Sequence, residues 1–99
     1  MLDMAKKMCP DGNGGAWISW LDTQASLYLN HISSDGSINS AFSANGLLVS
    51  ENTRLNFSLC ADSQGNAVLG WSAGATNLPM IQGFSPEGEP VNADGPVVL

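Results

Sequence analysis

"CPDGNGGAWISW", running from Cys9 to Trp20, returns as "CADSQGNAVLGW", from Cys60 to Trp71. Cys9, Asp11, Gly14, Ala16 and Trp20 recur as Cys60, Asp62, Gly65, Ala67 and Trp71, each 51 positions further on. Met8 and Leu59, Asn13 and Gln64, and Ile18 and Leu69 match in character. Beyond this block the offset drifts. "ISSDGS" at Ile32–Ser37 meets "FSPEGE" at Phe84–Glu89 after 52 positions, and "GLLV" at Gly46–Val49 meets "GPVV" at Gly95–Val98 after 49. Such drift is what loop insertions leave between matched blocks of an internal repeat. The chain therefore divides into two units, residues 1–51 and residues 52–99.

Each unit holds four apolar stretches separated by turn chemistry. The first offers "AKKMC", "AWISWL", "LYLNHIS" and "GLLVS"; the second offers "NFSLC", "AVLGWS", "LPMIQGF" and "GPVVL". Between them lie "PDGNGG", "SSDGS", "SANG", "DSQGN", "SPEGE" and "NADG". Gly, Asn, Asp and Pro in such clusters supply the backbone angles of tight turns. Short apolar runs bounded this way read as strands, and no stretch sustains a helical period, so an all-β chain with minimal helix is expected.

Alternation along the second strand sets Ala16, Ile18 and Trp20 on one face, repeated by Ala67, Leu69 and Trp71. The opposite face carries Trp17, Ser19 and Leu21, then Val68, Gly70 and Ser72. Both faces are small or apolar, and such a sheet needs a neighbour on each side. Four strands in about 50 residues with two coverable faces is the arithmetic of a β-propeller blade. Two tandem four-stranded antiparallel blades form an incomplete propeller, since closure takes about four to eight. The chain is then expected to be part of a longer array, with self-association of copies as the other route; a small β-sandwich of the two sheets is the structural alternative.

Composition narrows the function. Of 99 residues, 43% are hydrophobic and 12% charged, with nine Asp and Glu against three Lys and Arg, a net charge of −6. Lys6, Lys7 and Arg54 cannot build a phosphate-tracking stripe, which argues against nucleic acid and against anionic membrane surfaces. No apolar run reaches the roughly 18 residues of a spanning helix, so no membrane insertion is expected. The start "MLDMAKKMCP" lacks the apolar core of a signal peptide. "NFS" at Asn56–Ser58 meets the glycosylation sequon, a triplet that arises often by chance.

"DGNGGAWISWLD" resembles the "DGxGGAxxxWxD" repeats of secreted and surface bacterial β-propeller proteins, with "LYLNHISSDGSI" and "ANGLLVS" similar to the elements that follow in them. The likeness covers most of the first unit. It is looser in the second, where Asn66 replaces Gly15 and Ala73 replaces Asp22. A more distant likeness is to the Asp-box of sialidase-type propellers, although Asp11 and Gly14 stand at a different spacing. The resemblance implies a propeller and an extracellular or cell-surface location. It implies no reaction, because such repeats are scaffolds for many functions.

Individual residues add candidates. Asp11 and Asp62 precede tight turns, and their carboxylates are expected to accept backbone N–H bonds there. A calcium loop from Asp11, Asn13, the Gly15 carbonyl and Asp22 is a fainter reading, because Ala16 occupies the place where an EF-hand needs Gly. Trp20 and Trp71 are expected to pack structurally on equivalent faces. Trp17, which becomes Val68 in the second unit, and Tyr28 are the possible ligand-stacking residues, for a sugar ring above all. Equivalent Cα atoms in diverging blades lie beyond disulfide reach, so Cys9 and Cys60 are expected as two buried free thiols. His31, the single histidine, reads as a half-buried strand residue; no second histidine stands at metal-site spacing. No nucleophile elbow is present, Glu87 and Glu89 read as solvated, and a lone Arg54 serves a sialidase-like site poorly.

The expected function is thus a non-catalytic structural and interaction scaffold, without catalytic residues, cofactor or metal. Its partners would be further blades, a second copy, or a protein or glycan. A carbohydrate-binding module is the alternative, and a piece of a sialidase-like glycoside hydrolase the third reading.

Overall fold

In the computed structural model, residues 5–39, 42, 45–51, 53–74, 78–91 and 96–98 are described, with the strand side chains at 5, 54–56, 73, 97 and 98 excepted. Eight strands form two sheets. β1 (Ala5–Pro10), β2 (Ala16–Leu21), β3 (Leu27–Ile32) and β4 (Leu47–Ser50) make the first, in sequence order. β5 (Thr53–Ala61), β6 (Ala67–Ala73), β7 (Pro79–Phe84) and the two-residue β8 (Val97–Val98) make the second. Every neighbouring pair is antiparallel. No helix occurs among the described residues, and the all-β expectation holds.

Local hydrogen bonding explains the turns. Asp11 Oδ1 accepts the amides of Asn13 and Gly15 at 2.7 and 2.9 Å, and Asp62 Oδ1 accepts those of Gln64 and Asn66 at 2.8 and 2.9 Å. Asp22 does the same for Gln24 and Ser26 at 2.9 and 3.0 Å. One carboxylate thus satisfies two amides that a tight turn would leave unpaired, which is the Asx-turn logic read from the sequence. Gly14 and Gly65 supply the left-handed φ of 90° and 84° that these hairpins need.

Registers locate the drift between the units. Cys9 pairs with Trp17 and Cys60 with Val68, an offset of 51. Trp20 pairs with Tyr28 and Trp71 with Met80, so the third strands stand 52 apart, as do the bridges Ile32 to Ile38 and Phe84 to Pro90. The fourth strands correct the sequence alignment. Tyr28 pairs with Leu48 and Met80 with Val98, an offset of 50 and not 49. The register rests on the pairs Leu48 with Tyr28 and Val98 with Met80.

The two sheets bury opposite faces of equivalent strands. In β2, Trp17, Ser19 and Leu21 are fully buried, while Ala16, Ile18 and Trp20 are half-buried on the outside. In β6 the buried residues are Ala67, Leu69 and Trp71, the counterparts of that outer set. Trp20 and Trp71, expected to share one environment, therefore differ: Trp71 is in the core and Trp20 is on the open face of the first sheet. The front of one sheet meets the back of the next. The core holds Trp17, Leu21, Leu27 and Leu29 from the first sheet and Phe57, Leu69, Trp71 and Phe84 from the second.

The described parts form a slab of 39 × 33 × 18 Å, as two sheets about 10 Å apart should. The closest inter-sheet approach is β1 against β5. Away from it a cleft of about 300 Å³ opens, lined by Leu47, Val49, Trp71, Phe84 and Pro90 among others. Asp11, Asp22, Asp35, Glu51, Asp62, Glu87 and Glu89 all lie in connections, never within a strand.

One turn is strained. Ala25 adopts φ 62°, and its carbonyl accepts the Thr53 amide at 2.8 Å, tying the second sheet to the β2–β3 turn. A Cβ in the left-handed region costs roughly 1–2 kcal/mol. Ala25→Gly should therefore raise stability by about 1 kcal/mol in urea unfolding, net of the unfolded-state entropy that glycine adds.

Candidate functional site

The molecule carries a buried polar cluster between the sheets and an open aromatic face on the first.

The cluster is built where β2 and β3 leave the first hairpin. Pairing places Trp17 beside His31, and their rings stack with centroids 4.3 Å apart and planes 20° apart. Phe42 meets both edge-on, at 5.9 and 6.4 Å. Gly88 allows this, because a Cβ there would lie 3.2 Å from the Phe42 ring. The Trp17 indole N–H donates to the Gly65 carbonyl at 3.0 Å, across the sheet boundary.

His31 is held at both nitrogens. Its Nε2 lies 2.7 Å from Asp11 Oδ2, with both side chains buried. Its Nδ1 lies 2.9 Å from Asn39 Nδ2 and 3.2 Å from the Pro86 carbonyl of the second sheet's hairpin. Asn39 Nδ2 also donates to that carbonyl at 3.0 Å. An amide nitrogen only donates, so its two hydrogens serve Nδ1 and Pro86. His31 Nδ1 is then the acceptor, and Nε2 carries the hydrogen that it donates to Asp11. In this tautomer the Pro86 carbonyl is served by Asn39 and not by His31.

Asp11 consequently does two jobs. Oδ1 ties the turn and Oδ2 receives His31, while Gly15 leaves room for the carboxylate: an added Cβ would sit 2.7 Å from Oδ2 and 2.2 Å from the Ile32 carbonyl. The His31 hydrogen bond, with the Asn13 and Gly15 amides assisting against burial, holds the Asp11 carboxyl below its usual range. In the second unit Gly83 stands in the place of His31 and Val68 in that of Trp17, so Asp62 turns its spare oxygen to its own Asn66 at 3.0 Å. Both ring nitrogens of His31 are occupied and shielded from solvent. The cluster is a latch between sheets.

Several sequence readings change here. His31 is buried, not half-buried, because both its nitrogens find partners inside. Trp17 is fully buried under His31 and Phe42 and presents no ring face to a sugar. Tyr28 is half-buried on the open face and stacks on Trp20, with centroids 5.7 Å apart. Asp11 and Asp22 sit at opposite ends of the six-residue β2, about 17 Å apart at strand rise, and cannot share one calcium ion. No group of three or more potential metal ligands occurs among the described residues. Cys9 and Cys60 are both free as expected, but Cys9 is half-buried and Cys60 exposed. Their strands face each other where the sheets are closest. Burial pushes the Cys9 thiol up, with Cys60 and Asp11 adding to the rise. The side chains of Asn56 and Arg54, named in the sequon and sialidase readings, lie outside the described residues.

The residue that sequence reasoning missed is Asn39, which bridges His31 and Pro86. A usable signal was present: Trp17 and His31 break the repeat, and a departure from an otherwise kept pattern marks a special contact. Searches of family models, of characterised proteins and of solved structures find no match to this chain.

Two measurements check the latch and the thiols. Asp11→Asn keeps the turn acceptor but offers His31 a donor; it should cost about 1–3 kcal/mol at neutral pH, and Asp62→Asn less. The sign with pH follows from the lowered folded pKa of Asp11. Its contribution is present above the ordinary value of 3.8 and is lost as pH falls through the lower folded value. The decline in unfolding free energy on acidification should be shallower in Asp11→Asn. In thiol labelling of the folded protein, Cys60 should react first, and Cys60→Ser should abolish the fast phase.

Proposed function

We propose that this chain is a non-catalytic scaffold: two blades of a β-propeller-type repeat that stack on further blades and present their turns to protein or glycan partners. The observation that carries this reading is the burial of opposite faces. A sandwich whose halves were related by a twofold axis would bring equivalent faces together. Here the Trp17 side of one sheet covers the Trp71 side of the next, as successive members of a rotational series do. The close approach of β1 to β5 and the cleft at the far strands support the same reading, since blades converge on an axis and fan outward.

The polar cluster agrees with a scaffold, because every ring nitrogen and carboxylate oxygen in it already has a hydrogen-bond partner within the protein. The carbohydrate-binding alternative loses Trp17, its principal residue, to the core. The resemblance of "DGNGGAWISWLD" to bacterial repeats extends the proposal to an exported or surface location.

Joining three or four copies into one polypeptide tests this, because about four to eight blades close a propeller. Blades should close within the polypeptide, raising the unfolding midpoint above that of the single copy and lowering hydrophobic-dye binding per copy. An unchanged midpoint at every copy number, as independent sandwiches would give, overturns the reading.

A further inference from the structure

The slab has two open faces, and each matches one side of the interface the molecule already contains. On the first sheet the outer row is Lys6, Trp20, Tyr28 and Leu48. Its counterpart in the second sheet, Phe57, Trp71 and Met80, is packed inside. On the second sheet the outer row is Ser58, Gly70 and Ile81. Its counterpart in the first, which includes the fully buried Ser19 and Leu29, faces the core.

The existing interface brings these two kinds of row together. The Lys7 ammonium, cross-strand from Ser19, lies 5.6 Å from the Phe57 ring centroid. Leu47, cross-strand from Leu29, shares a cleft with Trp71. Moved on by one unit, the same pairing sets the Trp20–Tyr28 stack of one molecule against the Gly70 row of another. Gly70 has no side chain, and an open concavity of about 370 Å³ is lined there by Ser58, Gly70, Ser72 and Pro79 with their neighbours. The half-buried aromatics and the hollow are thus equivalent to surfaces already joined in this chain.

Charge permits the contact. Lys6 is the one charged side chain described on either open face, because the described carboxylates lie in connections. Covering the faces buries none of the described carboxylates, in spite of the net charge of −6. Met8 at 69% and Leu48 at 46% exposure add apolar area to the receiving side.

We propose that the occupant is a second copy of this chain, docked head to tail, with the Gly70 face of one molecule on the Trp20–Tyr28 face of the next. The inference rests on the blade reading. The contact is heterologous, so each docking regenerates one open face of each kind, and the series ends when its rotation closes a ring.

Light scattering after size exclusion tests this on the full chain. The wild type should run as a multiple of its 10.3 kDa mass. Ile18→Glu spoils the receiving face and Val68→Glu the docking face; each variant alone should be monomeric. Mixed one to one, they retain one good face of each kind and should form a heterodimer of twice the monomer mass, no larger. Circular dichroism checks folding, and Tyr28→Lys with Ser72→Lys replaces any variant that fails it. A monomeric wild type, a Val68→Glu protein that assembles as the wild type does, or a mixture that stays monomeric overturns the proposal. The joined copies described above close in cis at high effective concentration, so their result separates failure of self-docking from failure of the blade reading.

Discussion

A sheet that is largely apolar on both sides cannot be satisfied by a single neighbour. That constraint governs this molecule. Its described carboxylates are all placed in the connections, where they tie turns or meet water, and the strands are left mostly to apolar and small residues. Each sheet then has two surfaces to withdraw from water, at roughly 25 cal/mol for each Å² of apolar area covered. One contact covers the Trp17 side of the first sheet and the Trp71 side of the second. Two further surfaces stay open, and they are unlike each other because the contact between the sheets is not symmetric.

Repeated and unrepeated residues divide the work. The repeated set, Asp11, Gly14 and Ala16 with Asp62, Gly65 and Ala67, builds hairpins from interactions that span only a few residues. The unrepeated residues Trp17 and Asn39 reach across to Gly65 and Pro86, with His31 holding the Asn39 amide in place. Hydrophobic burial is tolerant of direction, whereas the hydrogen bonds of an indole and an imidazole are not. The latch therefore specifies how the sheets sit, while the apolar core supplies most of the attraction. Asp11 joins the two tasks through its two oxygens, and burial of its pair with His31 makes the loss of either partner costly.

The strands and turns were legible because their determinants are local. Alternation has a period of two, and a carboxylate reaches amides two and four residues ahead, so both leave short-range marks. Even the drift to 52 at the third strands showed in the matching hairpins "ISSDGS" and "FSPEGE". The fourth strands stand 50 apart where the matched glycines suggest 49, since a shared turn residue does not say which residues pair across the strands. Trp17 misled as a possible ligand platform for a related reason: an aromatic that departs from the repeat signals a special contact without saying whether the partner is a ligand or the neighbouring sheet.

By itself, the sequence determined that this is an all-β chain of two similar units, with Asp-anchored hairpins and strands apolar on both sides. Only the tertiary structure decided which side of each sheet is inside. Alternation sorts residues into two faces but carries no label for the buried one, because both were apolar enough to qualify. The choice fell to shape and hydrogen bonding across the boundary, where Trp17 and Asn39 of one unit found the Gly65 and Pro86 carbonyls of the other.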